Sequence, residues 1–207
     1  RPPEASQFTA HYGEHALGQG SGVRVDSRLV ALNDPGLVFL LDGVLSVEEC
    51  NTEMARMDAE DAHPIRSGAA LGTERKNARV ILFNAPLADR LYARIHAAVP
   101  QLLVGMSPVG CNECIRYYRY RPGDFFKPHQ DTHFQRSPDE RSLLSVVVYL
   151  NGGYTGGDLV FHHTRQTVTP RAGLAAVFGH RMVHESTPLV SGVKYALRSD
   201  VMYRTTG

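Results

Sequence analysis

A mainly β fold with two supporting helices, of the jelly-roll kind, is what this sequence predicts. Three observations predict it. Two helix signatures occupy the first half of the 207 residues, about eight short extended segments follow from residue 113 onward, and glycine and proline turns separate those segments. A chain of this length buries a core without staples, so one domain is expected.

Residues 1–22, rich in Pro, Gly, His and polar residues, read as an N-terminal arm, and 23–207 as a single domain with its barrel at about 113–204. Residues 37–41 form a short apolar strand. Ser46 followed by Glu49 is a capping box, opening a helix that runs to about Ala59. Residues 63–77 are charged and contain glycine, so they read as a loop, with a strand at 79–83 after it. Asn84-Ala85-Pro86 then caps a second helix, whose Leu87, Leu91 and Ile95 form one apolar stripe and which Pro100 ends.

From there the texture is extended: 113–121, the turn Pro122-Gly123-Asp124, then 125–131. Residues 143–150 are almost continuously β-branched or leucine, which implies a strand buried on both faces. Glycines at 152, 153, 156 and 157 make a turn, and strands are expected at 159–161, 166–169, 174–178, 182–185 and 194–203.

Apolar residues make up 43% of the chain, charged ones 21%, and the formal net charge is +1, which gives no sign of a nucleic-acid partner. The longest apolar run, 37–41, is strand-sized, so no membrane partner is expected, and oligomeric state is not indicated. Three cysteines form no disulfide framework; Cys111 and Cys114 have CxxC spacing but no second pair for zinc, and in one strand their thiols would face opposite ways. A reducing, cytoplasmic location suits free thiols. The chain begins at an arginine, so the lack of a visible signal peptide carries little weight.

His129 and Asp131, two apart on an extended chain, point to the same side. About one His-x-Asp or His-x-Glu triplet is expected by chance in this composition and one occurs, so its surroundings must carry the argument. His184 follows 55 positions after His129, and Lys194 ten after that. Brought in from a facing strand, His184 completes two imidazoles and a carboxylate on one side of a metal, the facial triad of non-haem iron(II) oxygenases. Lys194 supplies the cation that an anionic cosubstrate chelating such an iron needs at its far end.

The blocks Arg119-Tyr120-Arg121-Pro122-Gly123-Asp124-Phe125-Phe126-Lys127-Pro128-His129-Gln130-Asp131, Val148-Tyr149-Leu150-Asn151, Gly156-Gly157-Asp158-Leu159-Val160-Phe161, Pro170-Arg171-Ala172-Gly173 and His184-Glu185-Ser186-Thr187-Pro188, with Gly192-Val193-Lys194-Tyr195, occur in an order that resembles the 2-oxoglutarate and iron(II)-dependent dioxygenases of the prolyl 4-hydroxylase-like branch. The resemblance implies a double-stranded β-helix, Fe(II) held by His129, Asp131 and His184, and 2-oxoglutarate and O2 as cosubstrates. It implies further that Lys194 pairs with the distal carboxylate of 2-oxoglutarate, with Tyr149 hydrogen-bonding the same group and Tyr120 lining its pocket. Arg198, four after Lys194 and on the same strand face, is the alternative anchor. Plainer roles stand beside each: a core tyrosine for Tyr149, register uncertainty among Tyr117, Tyr118 and Tyr120, a solvated charge for Lys194. His180 competes with His184 if its strand is straight; His162 and His163 are expected at an exposed strand end, and His133 in a loop near substrate.

The function this implies is hydroxylation of an unactivated C–H bond, of a peptidyl or protein side chain such as proline. The alternatives are a free amino acid or other small metabolite, and, in another class, a non-catalytic jelly-roll binding or sensing module. Residues 63–77, with Arg66, Arg75 and Lys76, and the charged flap at 132–142 are the expected substrate loops, suited to a polar peptide or an amino-acid-like molecule. Nucleic-acid demethylation requires a basic track; Arg116, Arg119 and Arg121 are its candidates, expected on one strand face away from the mouth.

Overall fold

The computed structural model describes residues 10–11, 37–60, 63–67 and 74–206. In chain order the elements are β1 (Ala10–His11), β2 (Val38–Leu41), α1 (Val47–Ala59), β3 (His63–Ser67), β4 (Arg75–Phe83), α2 (Ala85–Ile95), β5 (Met106–Cys111), β6 (Cys114–Tyr120), β7 (Phe125–His129) and β8 (Gln135–Ser137). They continue with β9 (Glu140–Tyr149), β10 (Thr155–Gly156), β11 (Leu159–Phe161), β12 (Gln166–Val168), β13 (Ala175–Gly179), β14 (His184–Ser186), β15 (Leu189–Ser191) and β16 (Lys194–Thr205).

One antiparallel sheet runs β1-β2-β13-β9-β16-β6-β4-β7-β14-β11-β12, with β3 on β4, β5 on β16 and β8 on β9; β10 and β15 pair separately. The sheet curls so that side chains of β6, β7, β9, β11, β14 and β16 line one cavity, which is the jelly roll the sequence predicted. Alternation along β16 divides the interior: Leu197 joins the core beneath the helices, while Lys194, Ala196 and Arg198 face the cavity.

Both helices back the sheet. Ser46 accepts the Glu49 N–H at 3.2 Å and its own N–H donates to the Glu49 carboxylate at 2.9 Å, so the capping box is complete. That carboxylate also takes both forks of Arg94, at 2.6 and 2.9 Å, which ties α1 to α2. Asn84 caps α2 by accepting the Leu87 N–H at 3.1 Å, and Leu87, Leu91 and Ile95 are fully buried against Ile115, Tyr117 and the inner strands.

Several expectations change here. The expected loop at 63–77 is largely a hairpin: β3 pairs residue by residue with the start of β4, and only residues 68–73 lie outside the described residues. Charge hid the start of β4, whose Arg75 lines the outer cleft instead of a core. The flap at 132–142 contains β8 and the start of β9. Cys111 and Cys114 do not share a strand; they close β5 and open β6 across the turn at Asn112 and Glu113, and both thiols are free. Of the expected arm at 1–22, only Ala10–His11 lies within the described residues, and it pairs with Leu40 and Leu41. No helix among the described residues is long and apolar enough to cross a membrane.

Candidate metal centre

His129 ends β7 and His184 begins β14, and the two are register partners on adjacent antiparallel strands. The second histidine therefore comes from the neighbouring strand and not, as expected, from a facing one. Asp131 lies just past β7, where its N–H donates to His180 O at 2.9 Å while the Gln130 amide donates to Arg181 O. Those bonds pin the turn after β7 to the turn before β14. One donor atom each from His129, Asp131 and His184 lies within 4.8 Å of the others. The Asp131 carboxylate sits between the imidazoles, 3.8 Å from His129 Nε2 and 3.7 Å from His184 Nε2.

The donor chemistry fits a divalent metal. Each imidazole has its Nδ1 2.8 Å from a backbone carbonyl, Lys127 O for His129 and Met182 O for His184. A carbonyl only accepts, so Nδ1 carries the proton and Nε2 keeps its lone pair toward the cluster. Burial pushes His129 down to about 4, with His184 adding to the effect and Asp131 opposing it; burial lowers His184 too. Both are neutral near pH 7, the ligand form. Burial acts to raise Asp131, but Arg198 and the imidazoles outweigh it and hold the carboxyl well below its usual range.

Two groups hold Asp131: Ser145, which the sequence left unnoticed, and Arg198, which it offered as an alternative cosubstrate anchor. Ser145 Oγ donates to its Oδ2 at 2.5 Å and Arg198 Nη1 to its Oδ1 at 2.6 Å. His180 Nδ1 is 2.9 Å from Ser145 Oγ, and its Nε2 is 2.8 Å from Ser142 Oγ. Because Ser145 gives its hydrogen to Asp131, the consistent assignment has His180 Nδ1–H donating to Ser145 and Ser142 donating to His180 Nε2. His180 thus stands outside the three-donor cluster, in a supporting network. The only available signal was a serine within a β-branched run, a buried hydroxyl that needs a partner.

The expected cosubstrate residues gather on the same cavity. Lys194 is 3% exposed, and its Nζ donates to Gly157 O at 2.5 Å and Ser186 Oγ at 2.9 Å, with no carboxylate at ion-pair distance among the described residues. Tyr120, its register partner, and Tyr149 hold their ring centroids 4.9 and 5.3 Å from that nitrogen. Gly157, at φ +69°, lets the chain pass close to Lys194: a Cβ there would meet the lysine Cδ at 3.2 Å. Burial drives Lys194 down to about 7, against a weaker pull from Asp158. Arg198 lines the cavity as well, but donates to Asp131 and to Asp200, at 2.9 Å, so its two charge partners are already present.

The inner cavity, about 60 Å³, reaches Lys194; an outer cleft of about 310 Å³ shares His129, Asp131 and Phe126 with it and opens past Arg75, Arg79 and Arg116. Arg116 and Arg119 are three apart and take opposite faces of β6, which corrects the expectation of one shared face: Arg116 pairs with Asp200 inside, Arg119 with Asp58 on α1. His162 and His163 are exposed, and His162 pairs with Glu185. His133 lies in the segment between β7 and β8.

Residues 115–199 match the sequence profile of the 2OG-Fe(II) oxygenase superfamily, the stretch that holds all three donors and Lys194. The matched stretch spans 85 of the 207 residues. That stretch is similar to the 2-oxoglutarate-dependent oxygenases, a family that uses Fe(II), 2-oxoglutarate and O2. Among solved structures, the chain is similar to the viral collagen prolyl hydroxylase of Paramecium bursaria Chlorella virus-1 in its 2-oxoglutarate complex, with TM-score 0.62 and 17% identity over 84% of this chain and 100% of that one. It also resembles a Pseudomonas putida prolyl-4-hydroxylase, with TM-score 0.58 and 22% identity over 83% and 94% of the two chains. A third is a Trichoplax adhaerens prolyl hydroxylase in complex with a hypoxia-inducible-factor oxygen degradation domain peptide fragment, with TM-score 0.57 and 14% identity over 80% and 83%. At these identities the likeness speaks for the shared fold. No curated protein matches the sequence.

Proposed function

We propose that this oxygenase hydroxylates an unactivated C–H bond of a peptidyl or protein side chain such as proline, with His129, Asp131 and His184 holding Fe(II) and Lys194 binding the distal carboxylate of 2-oxoglutarate. The observation that carries this reading is a buried ammonium without a carboxylate partner, on the cavity that also holds the two imidazoles and Asp131. A buried cation in that state is satisfied by an anionic ligand. Bound Fe(II), with 2-oxoglutarate and O2, supplies the oxidising power that no side chain has.

The chain's own residues perform the positioning. Lys127 O and Met182 O orient the imidazoles, Ser145 and Arg198 fix the carboxylate, and Tyr120 and Tyr149 close water away from Lys194. The outer cleft then presents substrate to the donors from the Phe126 side. A peptide is favoured because the cleft wall continues along β4 to its exposed end, and the Trichoplax neighbour holds a peptide on the same fold. The cleft volume alone suits a small ligand, which keeps a free amino acid or metabolite as the second reading. Three free thiols and ferrous chemistry suit a cytoplasmic setting.

The test is succinate release from 2-oxoglutarate with Fe(II), driven by peptide pools and by metabolite pools, with mass spectrometry for a gain of one oxygen. Peptide-dependent succinate and peptide oxidation are expected, both absent in His129→Ala. Turnover by metabolites alone would replace the peptide reading, and turnover surviving His129→Ala would refute the ligand assignment.

A further inference from the structure

The inner face of β4 carries two arginines that the iron-site reading does not use. Arg75, Arg79 and Arg116 line the outer cleft together with His129 and Asp131. Arg79 is the register partner of Tyr118, and Ile81 that of Arg116, so these side chains share one wall. The acids of that region are already neutralised: Asp131 takes Arg198, and Asp200 takes both Arg198 and Arg116. Arg75 and Arg79 have no carboxylate partner among the described residues.

Arg75 is held in place without being paired. Its guanidinium carbon lies 5.3 Å from the Phe126 ring centroid, and Phe126 in turn stacks on His129 at 3.5 Å between centroids. Its Nε is buried with no hydrogen-bond partner. Burial and then the neighbouring Arg79 act to lower Arg75 from its ordinary value, and two unpaired cations side by side in a cleft attract an anion. Beyond Arg79 the same strand face ends in Ile81, 47% exposed, and Phe83, 79% exposed. From Arg75 to Phe83 the wall extends about 26 Å at strand rise, longer than a small metabolite.

We propose that Arg75 and Arg79, with Arg116 beside them, recognise carboxylates flanking the oxidised residue, so that the substrate is an acidic peptide segment laid along β4 with an apolar residue on Ile81 and Phe83. This rests on the peptidyl-oxygenase reading above and names its substrate class. Arginine forks suit carboxylates bidentately, and the stacked Arg75 is already oriented for one.

The test uses fluorescein-labelled peptide pools with a randomised centre, flanked by Asp and Glu or by Asn and Gln. They are titrated by anisotropy into the chain loaded with Mn(II) and 2-oxoglutarate without oxygen. The acidic pool is expected to bind roughly tenfold more tightly. That gap should close in Arg75→Gln/Arg79→Gln, narrow in Arg79→Gln alone, and return in Arg79→Lys. Equal binding of the two pools, or a gap that survives in the double variant, overturns the proposal. So does competition by glutarate or N-acetylproline as strong as by an acidic peptide, which would assign the site to a small carboxylate. Anaerobic visible absorption of the Fe(II) and 2-oxoglutarate complex is read separately. Its absence from the unmodified chain would defeat the metal-site reading, while its retention in the variants shows that a lost charge preference is not lost folding.

Discussion

His129 and His184 stand opposite each other across the β7–β14 pair, with ring centroids 4.2 Å apart. Strand alternation sends Glu185, the next residue, to the other side, where it meets His162. His184→Ala is therefore expected to lose Fe(II) or Mn(II), and His184→Ala/Glu185→His to fail to restore it although an imidazole lies only one position away. Metal content after gel filtration checks this; recovery in the double variant would mean that the donors are not set by strand register.

Ser145 reaches the His129, Asp131 and His184 cluster through Asp131. Ser145→Ala removes one of two side-chain donors on that carboxylate and leaves His180 Nδ1 without its acceptor. Metal affinity should fall about 10- to 100-fold, the usual cost of losing a group that orients a ligand. Competition titration against a metal-binding dye measures it, and Ser145→Thr should recover part of the loss.

Lys194→Met tests the anchor from two sides. Apparent 2-oxoglutarate affinity should drop roughly a hundredfold, since a buried carboxylate would be left without its cation. The ligand-free fold should be as stable as before or more so, because an unpaired ammonium no longer has to be buried. Calorimetric binding and thermal melting read the two effects independently, and unchanged affinity would remove Lys194 from the site.

The same lysine gives a pH dependence. In the free protein it titrates at about 7, and a bound dicarboxylate favours its charged form, so its pKa rises on binding. Affinity attributable to Lys194 is then fully present below pH 7 and falls by up to about tenfold per pH unit above it. For folding without ligand the unfolded chain holds more protons between about 7 and the ordinary lysine value, so stability from this group rises with pH across that window. Proton uptake on 2-oxoglutarate binding near pH 8 should be visible in buffers of different ionisation enthalpy, and should vanish in Lys194→Met.

Tyr117, fully buried, donates to Glu53 at 2.6 Å and so joins β6 to α1 behind the cavity. Tyr117→Phe leaves a buried carboxylate short of a donor and should cost about 1–3 kcal/mol, read by urea unfolding, with metal affinity little changed.

Local chemistry was legible in the sequence because it is read at fixed offsets. The Ser46–Glu49 cap, the Leu87–Leu91–Ile95 stripe and the buried run at 143–150 each depend on neighbours within one turn or one strand. The His129, Asp131, His184 and Lys194 pattern was visible as spacing. What spacing does not carry is who stands opposite whom. That His184 meets His129 on the adjacent strand, that Arg198 serves Asp131, that Ser145 and His180 support the same carboxylate, and that Arg75 and Arg79 share the cleft all depend on sheet register. The charged start of β4 stayed hidden for the same reason: its partners β6 and β7 lie far along the chain. The residues decide which side of each strand is polar; only closure of the sheet decides which polar sides meet, because pairing energy is shared between segments that no local window contains.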